Sequence, residues 1–407
     1  MLLKIKAQSF ISVTYFLIAA FLGVLLRLFP VTNVDATYKF IVHTHSHIAL
    51  LGWVYIALTS LIYHLFINKN VSKKYSVLFW ITQVTILGML VSFPITRYAL
   101  FSIIFSTLFL ICTYWFYSFF RKHHHCSKKS YSYQFINTSL LFLVISSIGP
   151  WALGVIMKTL GNTSTLYKNA IYFYLHFQYN GWFIFCLLGL FIFLLEKHKI
   201  LINKKAISLF YKLLVLSCCL TLFLSFLWIK PSVIIYVIAF LGSVLQLFAL
   251  FKFQQILNSI KLDLSNKLAP FTYHLLQFIY ILFVFKIVLQ AFTAIPLFAE
   301  LVSQIIDFVI GYLHLTFLGI VSLSLFIFLK EFGLLNLSKF WIRIYLLGFI
   351  LSEILIFYKG FCNWQQLSII NNYYVVLVTV SALIPIAVLG ICIQNFKAIF
   401  STPQEFQ

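Results

Sequence analysis

The chain of 407 residues is 62% hydrophobic and only 9% charged, with a mean hydropathy of +1.02. This excludes a soluble globular protein, in which roughly a quarter of the residues are charged. The formal net charge of +21 would point to nucleic acid in a soluble protein, but here the basic residues fall between apolar stretches, so membrane topology accounts for them and no DNA or RNA partner is needed.

A bilayer crossing takes about 20 apolar residues, which predicts twelve spans. They lie near 8–29, 39–67, 75–95, 98–120, 134–157, 168–195, 206–228, 232–253, 271–295, 301–329, 339–358 and 371–395. The fold class is therefore an all-α polytopic membrane protein, and residues 1–407 read as a single integral membrane domain whose partner is the lipid bilayer. The opening MLLKIKAQSF has no small-residue cleavage site and reads as the entry to the first helix. The longest connections, 121–133, 196–205 and 254–269, suit loops or short interfacial helices. Lys4 and Lys6, Lys69, Lys73 and Lys74, Arg121, Lys122, Lys128 and Lys129, Lys197, Lys199, Lys204 and Lys205, Lys261 and Lys267, Lys330 and Lys339, and Lys397 all fall on one side of this twelve-span chain. The opposite side carries isolated charges such as Asp35, Arg97, Lys158, Lys230, Glu300 and Lys359. Both termini are then cytoplasmic.

In chain order, span 2 carries His43-Thr44-His45-Ser46-His47. His43 and His47, four apart, share a helix face, and His45 points about 200° away from His43. The loop after span 4 holds His123-His124-His125-Cys126 among basic residues, a pattern more typical of a solvated loop than of a metal site. Span 6 carries His176, and span 7 has Cys218 and Cys219 but no histidine. The seven cysteines show no metal or redox spacing and read as small hydrophobes. Lys286, Asp307 and Glu353 sit in the outer halves of spans 9, 10 and 11; a buried ion pair is the leading reading, a propionate or proton site the alternative. Span 10 carries His314.

His47, His176 and His314 each begin an H-x-x-x-x-G phrase, HIALLGW, HFQYNGW and HLTFLGI, separated by 129 and 138 residues. Composition alone yields about 0.4 such matches, so three at a near-constant period indicate an internal repeat of four helices. One isolated intramembrane histidine most often hydrogen-bonds a carbonyl or a tyrosine of a neighbouring helix. Three in one phrase favour a metal or haem site, since six-coordinate haem takes two axial imidazoles from opposite faces. On an α-helix the glycine lies about 140° around from its histidine, placed to let a neighbouring helix or a porphyrin edge come close.

These residues resemble subunit I of the haem-copper oxidases and nitric oxide reductases, and the related NnrS-like haem proteins. HTHSHIALLGW is similar to the H-x-H-S-x-A-L-G-W phrase of cbb3-type subunits, where it belongs to helix 10. The resemblance covers the whole chain in topology and about thirty residues in motif. It implies twelve helices in three arcs of four, with a b-type haem on a span 2 histidine (His47, or His43 or His45) and on His314, and with His176 as the helix 6 metal ligand. It also implies a bacterial inner membrane location and an electron-donor protein or a quinol as partner. The chain departs from the family pattern at several points. Span 7 lacks the His-His pair, Tyr312-Leu313-His314 keeps one histidine of an H-x-H, and Asn180 stands where a tyrosine follows the helix 6 histidine, with Tyr179 before it. A three-histidine copper site is thus incomplete. The expected role is that of a divergent oxidoreductase, in electron transfer or in handling a small gas such as nitric oxide or dioxygen. Two other classes share the architecture: a secondary transporter, which a threefold histidine repeat fits badly, and a cofactor-free scaffold or assembly protein.

Overall fold

In a bilayer each backbone N–H and C=O must be satisfied within its own segment, which turns apolar runs into helices. The computed structural model describes residues 5–96 and 99–400, with side chains as far as 396. Lys4, Arg97 and the side chain of Lys397, used above to orient the chain, lie outside the described residues. Among the described residues twelve helices are long and apolar enough to cross a membrane: spans 1 to 12 are Ile5–Leu28, Tyr38–Phe66, Lys69–Thr96, Leu100–His123, Tyr131–Thr159, Thr165–Lys197, Lys204–Ile229, Val233–Lys267, Pro270–Phe292, Ile306–Glu331, Lys339–Gln365 and Tyr373–Phe396.

Four boundaries differ by five residues or more from the sequence reading: span 3 starts at Lys69, span 11 runs on to Gln365, and spans 8 and 10 depart at one end each. The connection at 254–269, expected as a loop or a short interfacial helix, is a continuation of span 8 to Lys267, because Phe253, Ile256, Ile260 and Leu264 form a buried stripe at helical spacing that keeps the helix packed beyond its apolar core. Span 10 begins at Ile306 rather than 301, because Pro296 starts a separate short helix, Pro296–Gln304. The chain forms two compact units. One comprises Met1–His125, Leu325–Cys362 and Gln366–Gln407, the other Cys126–Ser324 and Asn363–Gln365.

In the first unit Phe16 of span 1 stacks on Trp53 of span 2 at 4.9 Å and meets Tyr345 of span 11 at 6.0 Å. Span 1 comes so close to span 2 that a Cβ on Gly52 would lie 2.8 Å from Cβ and Cγ of Tyr15. In the second unit span 5 approaches span 6 in the same manner, and a Cβ on Gly181 would lie 2.7 Å from Cβ of Phe142. Gly52 and Gly181 are the glycines of the first two repeated phrases. The repeat is therefore visible in packing for its first two copies: the first helix of each of these four-helix segments seats on the phrase glycine of the second.

Burial follows the same division. The most apolar stretches of spans 2, 6 and 10 are 78%, 94% and 72% buried, against 28–50% for the other nine. The three histidine-bearing helices are thus interior helices, and the rest present large apolar faces outward, such as Val84 and Val91 on span 3 and Ile350 and Ile354 on span 11.

Candidate histidine sites

Each repeated phrase is a π-helix. The backbone changes from α to π directly after the histidine, over Ile48–Tyr55, Phe177–Phe183 and Leu315–Ser322. Such i→i+5 stretches make up well under 1% of residues and are frequent at functional positions. The wider turn corrects the sequence geometry: with hydrogen bonds closing at i+5, the glycine returns to within about 50° of its histidine instead of 140°. What fills the space over the glycine is the neighbouring helix, Tyr15 at Gly52 and Phe142 at Gly181. The histidines come nine, eleven and eight residues after the starts of their spans at Tyr38, Thr165 and Ile306, so their depths along their own helices agree to about one turn.

In the first unit His43 and His47 both face span 3, with ring centroids 6.5 and 4.4 Å from Phe93. His45 faces span 1. Its Nδ1 donates to the Ala19 carbonyl at 2.8 Å, and Gly23 leaves room for the ring, which would lie 3.1 Å from an added Cβ. The Nδ1 of His47 bonds the His43 carbonyl, one turn back, at 2.8 Å. His314, described within the second unit, does the same with the Ile310 carbonyl, also at 2.8 Å. A carbonyl only accepts, so in both rings Nδ1 carries the proton and Nε2 carries the lone pair. This is the arrangement of metal-ligating histidines, whose second nitrogen is oriented by a backbone carbonyl or carboxylate. His47 and His314 fit an iron on this chemistry.

His176 has the opposite tautomer. Its Nε2 donates to the Cys218 carbonyl at 2.8 Å, and its Nδ1 accepts from Asn180 Nδ2 at 3.3 Å. The cause lies in span 7, where the α-helix tightens to 3₁₀ at Leu222 and the Leu222 amide turns to Leu220. The carbonyl of Cys218, left without that amide, is satisfied by the imidazole and by the Thr221 hydroxyl. The Cys218 thiol plays no part in this contact. A metal on His176 would have to displace Cys218 or Asn180.

Asn180 leads on to Lys286, 1% exposed, whose amine donates to the Asn180 side-chain oxygen and, at 2.9 Å, to Gln290 Oε1. Tyr312 donates to the same Gln290 oxygen at 3.1 Å. Of Lys286, Asp307 and Glu353, among which a buried ion pair was the leading expectation, Lys286 is held by two amide oxygens and Asp307 accepts from Asn363 at 2.9 Å. Gln290 escaped the sequence reading and Asn180 entered it only as a departure from the family pattern, although each stands four residues after a titratable group, His176 and Lys286, and i, i+4 neighbours share a helix face.

Among the described residues no group of three or more His, Cys, Asp or Glu side chains is arranged to hold a metal ion. In the loop after span 4, partial burial and the nearby Glu196 carboxylate push the Cys126 thiol up to about 11. No protein-family model and no curated protein matches the chain.

Proposed function

We propose that this is a membrane haem protein, a divergent relative of haem-copper oxidase subunit I with twelve helices in three arcs of four and cytoplasmic termini, resident in a bacterial inner membrane. His47 and His314 are its iron ligands. The observation that carries the reading is the shared local geometry of these two residues: each stands at an α-to-π junction in the same sequence phrase, and each holds its Nδ1–H on the carbonyl one turn back, which fixes Nε2 as the coordinating nitrogen. When bound, the haem supplies a one-electron carrier. The chain's own contribution is to fix the two imidazole tautomers, with both half-buried rings carried on largely buried spans. His45, turned toward Ala19 on span 1, and His43, beside Phe93, are neighbours of the ligand rather than ligands. His176 serves its own unit as the clamp on the broken span 7.

The role that follows is electron transfer or small-gas handling. Separate His47→Ala and His314→Ala variants test it: each removes a ligand, so each is expected to change the Soret band and to lower haem content several-fold. His176→Ala is expected to leave the spectrum unchanged. Undiminished haem with an unaltered Soret band in His47→Ala and His314→Ala would overturn the assignment.

A further inference from the structure

The second unit holds a buried amine with no counter-charge. Lys286 of span 9 is 1% exposed and takes part in no ion pair among the described residues. Its amine meets two amide oxygens, one on Asn180 of span 6 and one, at 2.9 Å, on Gln290 a turn further along its own helix. It also lies over the ring of Tyr312 on span 10, 5.7 Å from the centre. Asp307, the acidic residue of span 10, is bonded by Asn363 instead.

The groups around Lys286 are oriented for its charged form. The Cys218 carbonyl holds the proton of His176 on Nε2, so Nδ1 carries the lone pair. Asn180 turns its NH2 to that nitrogen, at 3.3 Å, which leaves its oxygen for the amine. Gln290 presents Oε1 to the amine and, at 3.1 Å, to the Tyr312 hydroxyl. Both amide dipoles thus aim their negative ends at Nζ, and the ring face adds a cation–π attraction. A neutral amine would need a donor for its lone pair, and none of these groups offers one. An ammonium has three N–H groups, of which two are taken; the third, and Gln290 Nε2, have no acceptor among the described residues. Dipoles lower the cost of a buried charge but do not cancel it, and buried charges are otherwise paired. Lys286 stands six residues before the end of span 9, and Tyr312 six after the start of span 10. That is about 9 Å of helix from the membrane boundary where the two spans are joined, a short path for an ion from water.

We propose that Lys286 and Gln290 form a binding site for a small monovalent anion, a halide or a planar carboxylate. The anion accepts from the third N–H of Lys286 and from Gln290 Nε2, and it supplies the one negative charge that the chain withholds. Asn180 and Tyr312 position the two binding residues and do not themselves bind the anion. The inference goes beyond the haem reading and is independent of it, since none of these four residues is a proposed iron ligand.

The test follows the thermal unfolding midpoint of the full-length protein in mild detergent while sodium gluconate, whose anion is bulky, is exchanged for sodium chloride or sodium formate at constant ionic strength. Wild type is expected to show a saturable rise of at least about 3 °C. The salt with the lower half-saturating concentration tells a halide site from a carboxylate site, and either order supports the proposal. Gln290→Glu keeps the shape of the side chain and supplies the missing charge from the chain itself, so its midpoint is expected to be indifferent to both salts. Lys286→Met, which removes the charge, is expected to be indifferent too, and Lys286→Arg to keep the rise. A salt-dependent midpoint in protein that carries no haem supports the site while counting against the haem reading. A wild type indifferent to both salts, or a Gln290→Glu protein with the wild-type dependence, would overturn the proposal.

Discussion

Replacing Gly52 or Gly181 with alanine probes the repeat at the point where its first two copies are packed alike. The added methyl would lie 2.8 Å from Cβ and Cγ of Tyr15, or 2.7 Å from Cβ of Phe142, where carbon atoms normally keep about 3.5–4.0 Å. A Cβ is fixed to its backbone, so no rotamer change relieves the overlap and spans 1 and 5 themselves must move. Overpacking of this kind costs about 1–3 kcal/mol, and the absence of a flexible neighbour places both sites in the upper half of that range. Alanine regains about 1 kcal/mol over glycine in a helix, which leaves a net loss of roughly 1–2 kcal/mol. Gly154, in the α-helical part of span 5 with nothing within 4 Å of an added Cβ, reads the propensity gain without overlap, and Gly154→Ala should be stabilising by roughly 0.5–1 kcal/mol. Unfolding in mixed micelles, followed by circular dichroism over a titration of denaturing detergent, reads all three. Gly52→Ala and Gly181→Ala proteins as stable as Gly154→Ala would refute the close-approach argument and, with it, the shared packing of the repeat.

Further outcomes follow from the same geometry. Asn180→Leu removes an acceptor from the buried amine of Lys286 and leaves His176 Nδ1 without its donor, so it is expected to destabilise by about 2–3 kcal/mol. Adding Lys286→Met to it should cost less than the sum of the single changes by at least about 0.5 kcal/mol, and additive losses in the same unfolding assay would contradict the network. His176→Phe should expose the released Cys218 carbonyl, seen as faster amide exchange in residues 218–229 with the Soret band unaltered. The Cys126 thiol, at about 11, is mostly protonated at pH 8, so its alkylation by iodoacetamide should be roughly a hundredfold slower than that of a thiol titrating near 9, and should rise about tenfold per pH unit up to about 11. Glu196→Gln removes the neighbouring negative charge and should speed that reaction; a flat pH profile would contradict the assigned cause.

The twelve helices were legible because an uninterrupted apolar run of span length has one stable solution in lipid. The facing of span 2 was legible for a similar reason: i, i+4 spacing puts His43 and His47 together against Phe93, and a two-residue step puts His45 on the far side, against Ala19. The π-helices were not. Composition and periodicity report which residues are apolar, whereas a switch from i+4 to i+5 bonding depends on what packs against Gly52 and Gly181, so the 140° angle drawn from α-helical geometry was misplaced. His176 illustrates a second limit. Its phrase matches those of His47 and His314, yet its tautomer is set by a backbone defect forty-two residues away at Cys218, and no local signal announces that the carbonyl there has lost its amide. Lys286, Asp307 and Glu353 suggested a buried ion pair by charge alone; the amides that bond Lys286 and Asp307, which are Asn180, Gln290 and Asn363, carry no charge to notice.

The central claim is that the chain carries haem on His47 and His314. The most direct measurement is the reduced-minus-oxidised optical spectrum, with a pyridine haemochrome assay, of wild-type protein purified from haem-replete cells alongside the two alanine variants. The account predicts low-spin haem b in stoichiometric amount in wild type and its loss or conversion to a high-spin spectrum in both variants. A wild-type protein that is folded, twelve-helical and free of Soret absorption would contradict it.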